Sequence, residues 1–153
     1  MKYLFVFLLA GIWVSCTSTD KQSSKEQATK DSLNNAMLKD TANYTTLEWL
    51  DSTEQNVGKI NQGQVIEISW HFKNAGNKPL IIASVRPGCG CTGAEGPKEP
   101  VAPGQEGLIK AKFNSEDFSG TQHKQVFVRS NSKTKMGGEE EVLSFNVQIE
   151  PKK

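Results

Sequence analysis

From residue 44 onward, hydrophobic and polar residues alternate with a period of two. In QVIEISWHFKN, Ile66, Ile68, Trp70 and Phe72 fall on one side and Glu67, Ser69, His71 and Lys73 on the other. Successive side chains of an extended chain point to opposite faces, so this pattern predicts a strand with one buried and one wet face. GLIKAKF repeats it, with Ile109, Ala111 and Phe113 inward, and EVLSFNVQIE does so with Leu143, Phe145, Val147 and Ile149. TTLEWL, NVGKI, PLIIASV and QVFVRS supply further strand candidates. PLIIASV is apolar on both faces, which predicts a central or doubly covered strand. The aromatics Trp49, Trp70, Phe72, Phe113, Phe127 and Phe145 occupy strand positions and are assigned to the core, whereas His71 and His123 fall on wet faces by parity.

Turn chemistry separates these runs. NAGNKP offers Gly76 for a positive φ and Pro79 to open the next strand. VAPGQEG places Pro-Gly before the Ile109 strand, and NSEDFSG and SNSKTKMGGE close later pairs. The charged run Gly137–Glu141 reads as a solvated edge. With no long helical period, the expected fold is all-β: an antiparallel β-sandwich of about seven to eight strands over residues 44–153. A closed barrel is the alternative. The Cys…Trp…Cys spacing of antibody domains is absent, so the sandwich is Ig-like in architecture only.

The N-terminal part has another character. Lys2 precedes an apolar run from Tyr3 to Val14. This is too short for a membrane span, which needs about 20 residues, and fits an export signal. The run ends at Ser15-Cys16, which resembles the loose lipobox of Bacteroidetes lipoproteins, with Trp13 where Leu is usual. That resemblance implies a signal peptide at 1–15, lipidation of Cys16 and an anchor in a bacterial envelope membrane. An ordinary cleaved signal is the alternative. Residues 17–43 are polar and rich in Ser and Thr. They cannot bury enough surface to offset their ordering entropy, so 16–43 reads as a flexible tether, with a turn or two of helix within DSLNNAML. The protein is therefore expected outside the cytoplasm, joined to the membrane through lipid. A formal net charge of +1 with no basic stripe gives no footprint for nucleic acid.

Three stretches resemble one bacterial family: FKNAGNKPLIIASVRPGCGCT (72–92), PVAPGQEGLIKAKFN (100–114) and SGTQHKQVFVRSNS (119–132). In order they match the pattern of domain-of-unknown-function family 1573. The resemblance implies an Ig-like sandwich in an exported, often lipid-anchored protein, and implies no activity.

Chemistry concentrates at SVRPGCGCTGAEGP. Cys89 and Cys91, at i and i+2 of an extended segment, point the same way and could share a ligand. Soft thiolates suit Cu(I), but a structural zinc site wants four ligands, and nothing in the sequence brings His71 or His123 to this loop. As a redox pair they would close a very small ring whose disulfide is easily reduced, yet the Cys-x-x-Cys spacing and βαβ context of thiol oxidoreductases are missing. Arg86 is the nearest group able to lower a thiol pKa. The third reading is a tight corner between sheets, where glycines take positive φ and the cysteines fill space. No catalytic motif surrounds either histidine. The expectation is a non-catalytic binding or assembly module whose partners are envelope proteins, with no cofactor. A redox or Cu(I)-handling site at Cys89 and Cys91 is the alternative.

Overall fold

The computed structural model describes residues 40–133 and 140–152, together with Thr29, Ser32, Leu33, Ala36 and Leu38. The signal segment, Cys16 and most of the tether lie outside the described residues, as do Gly137 to Glu139 of the charged run. Among the described residues no helix is long and apolar enough to cross a membrane.

Eight strands follow one another: β1 (Leu47–Trp49), β2 (Glu54–Asn61), β3 (Val65–Asn74), β4 (Ile82–Pro87), β5 (Thr92–Glu95), β6 (Glu106–Asn114), β7 (Gly120–Ser130) and β8 (Glu141–Glu150). They form two four-stranded sheets, ordered β1-β3-β6-β5 and β2-β8-β7-β4. This is the expected Ig-like sandwich, and the sheets do not close into a barrel. All pairings are antiparallel except β2 with β8, which run parallel. The chain leaves β1 in one sheet and enters β2 in the other, which sets β2 beside the last strand in the same direction.

The alternating residues meet between the sheets as expected. Trp70, Phe72, Ile109 and Phe113 of one sheet and Leu143 and Phe145 of the other have no solvent exposure. Phe145 is the aromatic hub, with its ring centroid 5.8 Å from Phe113 and 6.5 Å from Trp70. Such side chains each contribute roughly 1.5–3 kcal/mol through burial. Phe127 departs from the assignment. It points outward, half-buried, with the Arg86 guanidinium 4.8 Å from its ring centroid. Val126 and Val128 are the inward residues of β7, so parity puts Phe127 on the outer face.

Two local expectations are corrected, and one strand was not foreseen. β4 is an edge strand rather than a central one. Its doubly apolar part, Leu80 and Ile81, lies before the strand, where Leu80 bridges Val101, and both residues are buried. Gly76 has no positive φ; that conformation occurs at Gly58, Gly63, Gly104 and Gly120. Gly76 is required by space, since a Cβ there would lie 2.6 Å from the Thr46 amide nitrogen and closer still to the Thr45 hydroxyl. β5 had no signal of its own, being four residues of Thr, Gly, Ala and Glu.

The N-terminal edge of the body is fastened ahead of β1. Thr41–Asn43 form a 3-10 turn capped by the Asp40 carboxylate, and the Asn131 amide donates to the Asn43 carbonyl at 2.8 Å. Ser32, Leu33, Ala36 and Leu38 are helical, in keeping with the turn expected in DSLNNAML, and Leu38 is buried.

Lys124 occupies an inward position of β7, opposite Phe145, with its ammonium 4.0 Å from the centroid of Phe118. Burial lowers its pKa. The folded state therefore releases this proton before the unfolded chain does, and stability from this group rises with pH until the unfolded value of about 10.4 is passed. Urea unfolding of wild type and Lys124→Met at about pH 8 and about pH 10 should show wild type gaining on the variant at the higher pH. An unchanged difference would mean that burial does not perturb this amine.

Candidate functional site: the Cys89–Cys91 corner

β4 ends at Pro87 in one sheet and β5 begins at Thr92 in the other, so Gly88-Cys89-Gly90-Cys91 is the corner by which the chain changes sheets. The corner expected from the sequence is there, but its glycines do not take positive φ. Gly88 sits against β7, where a Cβ would lie 3.3 Å from the Gln125 carbonyl oxygen, and its amide donates to that oxygen at 2.8 Å. Gly90 is exposed at the tip, with open space around it. On the far side the Asn114 amide donates to the Cys91 carbonyl at 3.2 Å. Backbone bonds to β7 and β6 thus hold both ends of the corner.

Cys89 and Cys91 are joined by a disulfide with a Cα–Cα separation of 5.3 Å. Neither sulfur is free to fill space as a thiol, which corrects the packing reading. In this form neither is a thiolate, so the soft-metal reading requires the reduced pair. Both cysteines are half-buried, and Cys91 packs against the core. The Thr92 hydroxyl stands beside both, 3.6 Å from Cys89 Sγ and 3.7 Å from Cys91 Sγ. Thr92 is itself 4% exposed. Sequence reading named the two cysteines and passed over Thr92. Nothing local marked it, because β5 carries no alternating pattern of its own and Thr92 is turned inward only by its pairing with Phe113.

Arg86 does not serve this corner. It stacks over Phe127, and its Nη2 donates to both carboxylate oxygens of Glu140 at 2.8 and 3.1 Å. The charged run read as a solvated edge is thus partly engaged. Glu140 pairs with Arg86, and Glu141 is buried, accepting a hydrogen bond from the Trp49 indole.

The histidines are on wet faces as expected, but of different sheets, so the two rings do not approach one another. His71 on β3 contacts Asp51 Oδ2 through Nδ1 at 2.7 Å, and its backbone amide donates to the same oxygen at 2.8 Å. These bonds hold the Asp51 carboxyl below the usual carboxylate range, the backbone bond first and the ring second. His123 on β7 contacts Asn146 Oδ1 at 2.8 Å, and the Asn146 amide donates to Glu54 at 2.9 Å. A carboxylate only accepts, so Glu54 fixes the amide orientation and leaves His123 Nδ1 as the protonated nitrogen. Among the described residues no group of three His, Cys, Asp or Glu gathers as a metal site.

A second feature had no sequence signal. On the outer face of the first sheet, a groove of about 310 Å³ is lined by Glu67, Gly93, Glu95, Lys110 and Lys112, among others. Gly93 leaves it open, and Lys110 spans it to Glu67 at 3.0 Å. That carboxylate raises the Lys110 pKa. The pair is solvent-exposed, and such pairs contribute little to stability.

The family described as "Protein of unknown function (DUF1573)" matches residues 48–149. No curated protein matches the chain. Among solved structures, a protein of unknown function from Porphyromonas gingivalis is similar at 16% identity with a TM-score of 0.58, over 71% of this chain and 49% of that one. A PapD-like domain of human CEP192 is similar at 9% identity and 0.53, over 72% of this chain and 89% of that one. The VesB protease of Vibrio cholerae is similar at 10% identity and 0.52, over 74% of this chain and 34% of that one. The present chain thus spans about half of the first structure's length. Likeness at these identities shows a shared sandwich and carries no activity with it.

Proposed function

The chain belongs to the DUF1573 family of proteins of unknown function, and from that premise we propose that it is a lipid-anchored module of the bacterial envelope. In this reading its sandwich binds or assembles envelope proteins without catalysis. The observation that carries the proposal is the order of segments: an apolar run closing at Cys16, then a polar stretch, then a body fastened from Asn43 onward. Acyl chains on Cys16 would retain the protein at the membrane, since two chains give stable anchoring where one does not. The polar stretch would hold the sandwich clear of the headgroups and leave both outer sheet faces and the Cys89–Cys91 corner open to a partner. The longest edge, β2, is largely polar and carries a bulge between Asn56 and Gly58, a means of keeping an edge from indiscriminate pairing.

The test is metabolic labelling with an alkyne fatty acid in cells producing the wild type and Cys16→Ala. Wild type should carry the label and sediment with membranes; the variant should lose the label and leave the membrane fraction. Wild-type protein without label would refute the anchor. Crosslinking of intact envelopes should then capture protein partners through wild type and lose them when the sandwich is deleted.

A further inference from the structure

We propose that the Cys89–Cys91 bond is an exchangeable disulfide that accepts two electrons from a dithiol. The first ground is that it has little to do as a staple. A disulfide stabilises by removing loop entropy from the unfolded chain, and this gain grows with loop length. Here the bond spans a sequence separation of 2, and the corner is already held on both sides by backbone bonds, Gly88 to Gln125 and Asn114 to Cys91. The second ground is the placement of the sulfurs. Cys91 packs against the core and is followed by the buried Thr92, whereas Cys89 lies between the exposed Gly88 and Gly90, so an incoming thiolate reaches Cys89. The third is Thr92, a buried hydroxyl within 3.6–3.7 Å of both sulfurs. A hydroxyl in that position donates to a sulfur as negative charge develops on it, and a charge-assisted bond is stronger than a neutral one.

The step balances as follows. A thiolate of the partner dithiol attacks Cys89 Sγ and forms a mixed disulfide, while the bond to Cys91 breaks and its electron pair remains on Cys91 Sγ. That thiolate, bonded by the Thr92 hydroxyl, takes a proton from solvent. The partner's second thiol, deprotonated, then attacks its own sulfur in the mixed disulfide and releases Cys89, which is protonated in turn. The partner ends as a disulfide and the corner as two thiols, with two electrons transferred. The corner keeps its fold throughout, because its backbone bonds do not pass through sulfur. The site is independent of lipidation.

The test uses the full chain purified in detergent, with alkylation read by mass spectrometry on the peptide carrying Cys89 and Cys91, so that the state of Cys16 does not enter. Under native conditions, dithiothreitol at about 1 mM should reduce the pair within minutes while circular dichroism stays unchanged. A pair that resists until the sandwich unfolds would overturn the proposal. In single variants, Cys91→Ser should react with an aromatic disulfide at least about tenfold faster than Cys89→Ser; equal or reversed rates would sink the assignment of Cys89 as the attacked sulfur. Thr92→Val should slow reduction about fivefold and Thr92→Ser restore it; an unchanged rate would remove the hydroxyl from the step. Cys91→Ser produced in cells should retain a protein adduct on Cys89 that reductant releases. Only small-thiol adducts would refute a protein partner.

Discussion

Replacing Asn74 by alanine is expected to remove about 3 kcal/mol of stability and to lower the thermal midpoint by roughly 10 °C or more. Asn74 closes β3 and is fully buried. Its amide nitrogen donates to the carbonyls of Lys78 and Val101 at 2.8 and 2.9 Å. Its side-chain oxygen accepts from the Thr45 hydroxyl at 2.9 Å and the Gly76 amide at 3.1 Å. All four capacities of the carboxamide are thus used, and they tie three separate stretches of chain to one end of the sandwich. Alanine would strand the buried Thr45 hydroxyl and the half-buried Gly76 amide and take one donor from the Lys78 carbonyl, while the Val101 carbonyl keeps the Leu80 amide; each buried unpartnered group costs about 1–3 kcal/mol, less where a water can enter. Asn114 is the control. It is exposed and accepts one local bond from the Glu116 amide, so Asn114→Ala should cost no more than about 1 kcal/mol. Thermal unfolding of both variants decides it; similar losses would show that the buried network does not act as a unit.

Gly107→Ala should be of comparable severity, with a loss of about 3 kcal/mol or a failure to accumulate folded protein. Gly107 on β6 lies opposite Phe72 on β3. A Cβ at Gly107 would stand 2.3 Å from Phe72 Cζ and 2.8 and 2.9 Å from its two Cε atoms. Phe72 cannot step aside, since it is fully buried and its ring meets Trp49 edge-on at a centroid distance of 5.8 Å. The conformation is not the difficulty, because Gly107 has no positive φ. Gly93→Ala provides the contrast, for nothing lies within 4 Å of a Cβ there. That variant should stay within about 0.5 kcal/mol of wild type. A mild Gly107→Ala measured by chemical denaturation would mean that the ring moves more freely than its packing allows.

Asn74 and Gly107 also mark how far local reading reaches. Both belong to stretches quoted for the family resemblance, the first in FKNAGNKP and the second in PVAPGQEG. From the sequence, Asn74 is a turn residue and Gly107 punctuation before a strand. Only the pairing of β3 with β6 shows that the glycine makes room for a ring, and only the fold brings Thr45 and Val101 to the asparagine. The candidate site divides in the same way. Cys89 and Cys91 were visible as the chemistry-bearing residues, and the corner between sheets was expected. The bond between them was one of the open readings; the hydroxyl of Thr92 and the engagement of Arg86 by Glu140 were not visible, since each depends on atoms that meet only after folding.

By itself the sequence determined seven of the eight strands and most of the core, because alternate burial follows from the geometry of a single extended chain and needs no knowledge of neighbours. Ile68, Trp70, Phe113, Phe145 and Ile149 all lie inside where their parity put them. The tertiary structure alone decided which strands are neighbours: that β2 runs parallel to β8, that β4 is an edge, and that the two histidines stand on different sheets. Pairing joins segments far apart in the chain through backbone groups common to every residue, so the local pattern that builds each strand leaves its partner unspecified.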